Sequence, residues 1–299
     1  MDERSDCVAC FLRQGTDVSH LLPEGPARRS LMATVERLAY EADPARPSVA
    51  VGQTLHRSLR ALTGDPDPYL GAKIVFNKLI LGLVPELRRM IQQAPDPLLL
   101  TVRLAIAANV IDLGSDSTLT PAAALSALRG VLQASFHEDW TAFTTALSRA
   151  RSILYLTDNA GEIVVDRLLV EAIGPDRVTV AVRGGPIIND ATIEDARATG
   201  LDSLVEVIDN GSDAPGTLLD ECGLAFRERF EAADMIIAKG QGNFETLSDV
   251  DRPLFFLFKV KCPVIAAHAG LPMGTHALIG RSRPSADRPR PDEGEHPCG

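Results

Sequence analysis

No apolar run in this 299-residue chain approaches the roughly 18 residues that would suggest a membrane span. No block of five to eight basic residues appears, and the formal net charge is −10, which speaks against binding along a nucleic-acid backbone. The opening MDERSDCVACFLRQG is charged and holds no signal-peptide core. The cytoplasm is therefore the expected location, with neither nucleic acid nor membrane as a partner. Cysteine is sparse and odd in number: Cys7, Cys10, Cys222, Cys262 and Cys298. That is no disulfide framework. Cys7 and Cys10 form one CxxC, but no second CxxC and no HxxxH completes a structural zinc set. Their spacing fits an inward-facing side of a helix, with metal binding or redox chemistry as the alternative. What the chain does have is apolar material: 45% of its residues are hydrophobic, ample for one large or two modest domains.

Residues 1–150 carry helical periodicity. In RRSLMATVERLAYEA, Leu31, Val35, Leu38 and Ala39 recur near helical spacing, and further segments of the kind follow, divided by Pro and Gly. Thr120 and Pro121 read as the N-cap and first residue of another helix. No strand-like alternation stands out, and a helical-bundle domain is expected. From Arg151 short β-rich runs alternate with helical segments. SILYL, RVTVAV, LVEVI, DMIIA and PVIAA are strand candidates, with LFFLF a further one. Most are apolar at successive positions, as strands covered on both faces should be. This alternation predicts an α/β domain over 151–279, built on a mainly parallel, doubly wound sheet. Residues 280–299 are rich in Pro and charge and are expected to be a disordered tail.

Ligands of open α/β sheets bind beyond the C-terminal strand ends, and there the unusual polar residues collect. The first strand runs into Asp158, Asn159, Ala160, Gly161 and Glu162. The second runs into RGGPIINDAT, the third into DNGSDAPGT, and the fourth into AKGQGNFETL, with Lys239, Gly240, Gly242 and Asn243. Each loop alone reads as turn or cap chemistry. Four on one edge point further, because turns require neither a lysine nor repeated acids. Asp158, Asn159 and Asp190 offer hard oxygen ligands for a divalent ion such as magnesium or manganese. Lys239 can meet a phosphate as a point charge, while Gly240 and Gly242 let backbone amides approach an anion. Asp158 could also serve as a nucleophile, although metal ligation suits it better. No GxxxxGK[ST], no GxGxxG after the first strand, no GxSxG and no HExxH is present. A methyltransferase using S-adenosylmethionine stays open on the glycine-rich loops.

The phrases TDNAGEIVVDRLL, VRGGPIINDAT, NGSDAPGT, ADMIIAKGQGNFETL and FFLFKVKCPVIA, with CVACFLRQ, DPYLGAKIVFN and ANVIDLG upstream, together resemble the metal-dependent damage-control phosphatases. The resemblance is to their compact bacterial and archaeal branch and spans residues 7 to 275. It implies a Rossmann-like three-layer α/β/α domain beside a helical N-terminal domain, with the site between them. It implies a divalent cofactor (magnesium, manganese, cobalt or nickel) on Asp158, Asn159 and Asp190. It implies Asp158 and Lys239 as catalytic residues, with Lys239 on the phosphate. Asn109, Asp112, Gly240 and Asn243 become substrate contacts. Lys73 and Asn77, four apart on one helical face, support the site or cap the bundle. The implied substrates are small phosphorylated metabolites, sugar-phosphate or phosphopantetheine-like esters. A carboxyl methyltransferase and a non-catalytic metabolite-binding protein are the alternatives.

Overall fold

The structure, a computed structural model, describes residues 3–41, 47–109 and 120–281. Asp112 and residues 282–299 of the tail lie outside the described residues. The chain opens with helices α1 (Glu3–Ser19), α2 (Pro26–Glu41), α3 (Ser48–Thr63), α4 (Leu70–Leu81), α5 (Val84–Gln93), α6 (Pro97–Ala108) and α7 (Pro121–Val131). Sequence punctuation sets several starts. Asp96 accepts from the Leu99 amide at the head of α6, and Thr120 from the Ala123 amide at the head of α7, each just before a proline. Helices α1–α3 share a small core of Val18, Leu31, Val35, Leu55 and Leu59. Helices α4–α6 instead direct Phe76, Leu87, Val102, Leu104 and Ile106 into the core against the sheet. Full burial of each such side chain is worth about 1.5–3 kcal/mol.

The remaining elements are β1 (Phe136–Glu138), α8 (Trp140–Arg149), β2 (Ile153–Leu156), α9 (Glu162–Ile173), β3 (Val178–Val182), α10 (Ile193–Ala198), β4 (Glu206–Asp209), α11 (Leu224–Ala232), β5 (Met235–Lys239), α12 (Gln241–Leu247), β6 (Leu254–Lys259), α13 (Pro263–Ala269) and β7 (His276–Arg281). The strands form one sheet in the order β1-β7-β6-β5-β2-β3-β4. Its pairings are parallel except β6 with β7. This is the doubly wound α/β architecture that the alternating pattern predicts.

Three details differ from the sequence reading. PVIAA is helix α13, not a strand, because Pro263 occupies the first helical turn after an extended Cys262. β1 lies within the stretch read as helical; three residues are too few to show alternation. β7 carries the chain to Arg281 and is held on both sides, by β1 and β6. LFFLF is a strand, β6.

The winding reverses at β2. From there β3 and β4 extend the sheet one way, β5 and β6 the other. The crevice beyond the ends of β2 and β5 is thus the switch point, where such sheets bind ligands. Strand alternation decides what each side chain meets. Ile153 and Tyr155 face the core shared with α4–α6 and α9, whereas Leu154 and Leu156 face α11–α13. On β5, Met235 and Ile237 take the first face, and Lys239 continues their row.

Candidate active site

After β2 the residues Thr157 to Gly161 carry the chain into α9. Backbone bonds clamp this turn to the loop after β3: the Ala160 amide donates to Asn189 O (2.8 Å) and the Ala191 amide to Asp158 O (2.7 Å). Asn159 and Asp190 pair in an isolated antiparallel bridge. The structure therefore brings together Asp158, Asn159 and Asp190, the three oxygen donors marked in the sequence. Arg183, at the end of β3, stands between two of them. Its Nε donates to Asp190 Oδ2 (2.7 Å), and its Nη2 lies 3.8 Å from Asp158 Oδ1.

Helix α4 fixes both segments. Gly161 begins the turn into α9 at φ 76°, and a Cβ there would lie 2.2 Å from the Phe76 ring. Its amide donates to Asn77 Oδ1 (2.6 Å). Asn77 Nδ2 donates to Asp195 Oδ1 (2.8 Å). Asp195 also accepts from the Thr192 amide and hydroxyl, closing a capping box just beyond Asp190. Buried Lys73 bridges Asp195 (3.3 Å) and Asp67 (2.8 Å). Lys73 and Asn77 thus brace the site loops rather than cap the bundle.

Lys239 occupies a different setting from an open phosphate contact. It has no exposed surface, and its ammonium donates to Glu162 Oε1 (2.5 Å), Asp166 Oδ1 (2.5 Å) and Ala105 O (3.0 Å). An ammonium has three donors, and all three are engaged. Glu162 and Asp166, one turn apart on α9, face it because strand alternation turns Lys239 toward that helix. Tyr155 adds a bond from its hydroxyl to Asp166 Oδ1 (2.7 Å). Burial alone would lower the Lys239 pKa; the Asp166 and Glu162 charges outweigh it, and the pKa is raised. Glu162 and Asp166 were missed as site residues. The available signal was two acids spaced i, i+4 in the mainly apolar EIVVDRLLVEAI.

The helical half enters through the end of α6. Asn109 Nδ2 donates to Asp158 Oδ2 (2.7 Å) and Glu162 Oε2 (2.9 Å), and its buried Oδ1 has no partner among the described residues. Asn159 Nδ2 donates to the same two oxygens (2.8 and 3.1 Å). Gly240, at φ 83°, admits the Asp158 carboxylate: a Cβ would lie 2.2 Å from it. Asn243 is a fastener. It donates to Lys239 O (2.7 Å) and Thr157 O (3.2 Å) and accepts from Thr217 Oγ1 (2.8 Å) and Arg183 Nη1 (3.2 Å). Its amide is fully used, with nothing directed at a ligand. The loop after β4 sends no acid to the crevice: Asp213 is engaged by Gln53, Arg57 and Arg60 of α3.

The charge is unbalanced. Burial, then the neighbouring Glu162 and Asp190 charges, push the Asp158 carboxyl up to about 8. Burial raises Asp190 as well, and raises Asp166 to about 6 against the pull of Lys239. Among the described residues no three His, Cys, Asp or Glu side chains form a ligand cluster; the convergent set is two acids with amides. Such oxygen donors suit a hard divalent ion. The raised Asp158 and the orphaned Asn109 Oδ1 both lack what a cation would supply.

A doubly wound α/β fold with an acid- and amide-lined switch point defines a class of ligand-binding enzymes broad in its chemistry. The particular family is narrower. The model of the damage-control phosphatase ARMT1-like domain matches residues 4–276, and the chain belongs to that family. A damage-control phosphatase of Pyrococcus horikoshii is 33% identical over 282 residues, 92% of this chain and 96% of that one. A damage-control phosphatase of Archaeoglobus fulgidus is 35% identical over 225 residues, 74% of this chain and 78% of that one. The crystal structure of a DUF89 family protein from P. horikoshii matches with a TM-score of 0.83 at 32% identity, covering 92% of this chain and 97% of that one.

Proposed function

We propose that the protein is a metal-dependent phosphatase that hydrolyses small phosphorylated metabolites. The observation that carries this reading is the convergence of Asp158, Asn159 and Asp190 at the β2/β5 switch point, with carboxylates that burial leaves poorly neutralised. Those three residues would hold the ion, with magnesium, manganese, cobalt and nickel as candidates. When bound, a divalent ion polarises a phosphoryl oxygen and offsets the charge of the transferring group. The chain's own residues prepare the place. Asn109 orients Asp158 and Glu162 from above. Gly240 leaves room for the Asp158 carboxylate. Lys239 ties Glu162 and Asp166 into one buried ion-pair cluster beside the donors. Membership of a phosphatase family supports phosphate esters as the substrate class. Asn109 and Gly240, both buried against the Asp158 carboxylate, are the substrate contacts in this reading. No helix of the described residues is long and apolar enough to cross a membrane.

The test is phosphate release from a panel of sugar-phosphate and phosphopantetheine-like esters, with each of the four metals and with chelator. Release that needs a metal is the expected result. No release from any ester with any metal, or micromolar binding of S-adenosylmethionine by calorimetry, would overturn the reading.

A further inference from the structure

We propose that Arg183 is a catalytic residue of this site, its free Nη2 gripping an oxygen of the transferred phosphoryl group; this rests on the phosphatase reading above. Cations near the crevice differ in what they have left to give. Lys239 has all three donors engaged by Glu162, Asp166 and Ala105. Lys73 is held by Asp67 and Asp195. Arg183 is buried, with 2% of its side chain exposed, yet its Nη2 has no hydrogen-bond partner among the described residues. The 3.8 Å separation from Asp158 Oδ1 is too long for a hydrogen bond.

The rest of the guanidinium is fixed. Nε is held by Asp190 Oδ2 (2.7 Å). Nη1 is held by Gly216 O (3.0 Å) and Asn243 Oδ1 (3.2 Å), with Thr217 Oγ1 at 3.4 Å. Because guanidinium is planar, those bonds fix where Nη2 points: toward Asp158, in the space between the two carboxylates proposed to hold the ion. A purely structural role accounts for Nε and Nη1 but leaves a buried N–H pair unsatisfied, which native proteins avoid. A phosphoryl oxygen beside Asp158 satisfies it, through a donor that needs no reorganisation as charge develops.

The experiment compares wild type with Arg183→Ala, using manganese alone and then inorganic phosphate on the manganese-loaded protein, both by calorimetry, and steady-state kinetics on an active ester. Manganese affinity is expected to stay within about threefold of wild type, while phosphate affinity falls and kcat/KM drops about 10²–10³. Millimolar guanidinium should restore part of the rate. If manganese affinity falls as far as phosphate affinity, Arg183 only positions Asp190 and the proposal fails. Unchanged phosphate affinity also overturns it. Should the alanine variant not fold, Arg183→Lys carries the same comparison, since it keeps the charge but not the fork. A wild type that binds manganese, does not bind phosphate and hydrolyses no ester sinks the phosphatase reading itself. Wild-type phosphate binding indifferent to residue 183 sinks only the role of Arg183.

Discussion

Replacing Asp158 by asparagine should stabilise the metal-free protein while abolishing its activity. The Asp158 carboxyl has an ordinary value of 3.8 and a folded value of about 8. Across that window the folded protein holds a proton that the unfolded chain has released, so stability falls as pH rises. Each pH unit costs about 1.4 kcal/mol, and at pH 7 the penalty reaches about 4 kcal/mol. Asparagine has no such penalty but returns part of the gain. Asn109 and Asn159 both donate to Asp158 Oδ2, so asparagine keeps its one oxygen there and turns its NH2 donors toward the Arg183 guanidinium. A net gain of about 2 kcal/mol at pH 7 follows, growing toward pH 8. Urea unfolding of both proteins in chelator at pH 5, 7 and 8 reads it directly. With saturating manganese the order should reverse, because only the wild type gains binding free energy. A variant less stable than wild type in chelator, or a difference that ignores pH, would refute the reasoning.

Lys239→Met leaves Glu162 and Asp166 buried without their counter-ion and should destabilise the protein by about 3–5 kcal/mol at pH 7, read by urea unfolding; unchanged stability would show that the lysine is not the structural partner its contacts indicate. Gly240→Ala places a Cβ 2.2 Å from the Asp158 carboxylate at a φ of 83°, so calorimetry should find manganese affinity sharply reduced, alongside about 1 kcal/mol of backbone strain. Burial first, then Arg60, lowers the His56 pKa to about 4, so its contribution is complete above pH 6.5 and lost as pH falls toward 4, about 3 kcal/mol in all. His56→Leu should flatten that part of the acid limb in a pH series of unfolding midpoints.

The strand ends were legible because a buried strand must stop, and an acid or amide just past the stop has nowhere to go but the sheet edge. That argument finds Asp158, Asn159 and Asp190 without a structure. It also finds Lys239, but only as a residue type at a place. Whether that ammonium meets solvent or carboxylates depends on which face of α9 turns inward, and this is decided when α6 and α9 pack together. Asp166 was therefore hidden inside an amphipathic pattern, and Glu162, visible at the strand end, carried no sign of its lysine partner. Asn243 misled for the opposite reason: it sits in a glycine-rich loop phrase but is absorbed into bonds with Thr157, Thr217 and Arg183. The edge strand β1 and its neighbour β7 were beyond reach, since their pairing joins segments more than a hundred residues apart.

Helix α4 supplies no donor to the candidate ion, yet one side-chain amide on it holds the Gly161 turn and, through Asp195, the segment behind Asp190. The spacing of the donors is thus dictated by a residue in another part of the sequence. Two proteins with identical strand-end phrases but a different side chain at position 77 would not share a site in any useful sense. Inheritance of the chemistry has to be followed through Asn77 and Asp195 as well as through the residues that would touch the ion.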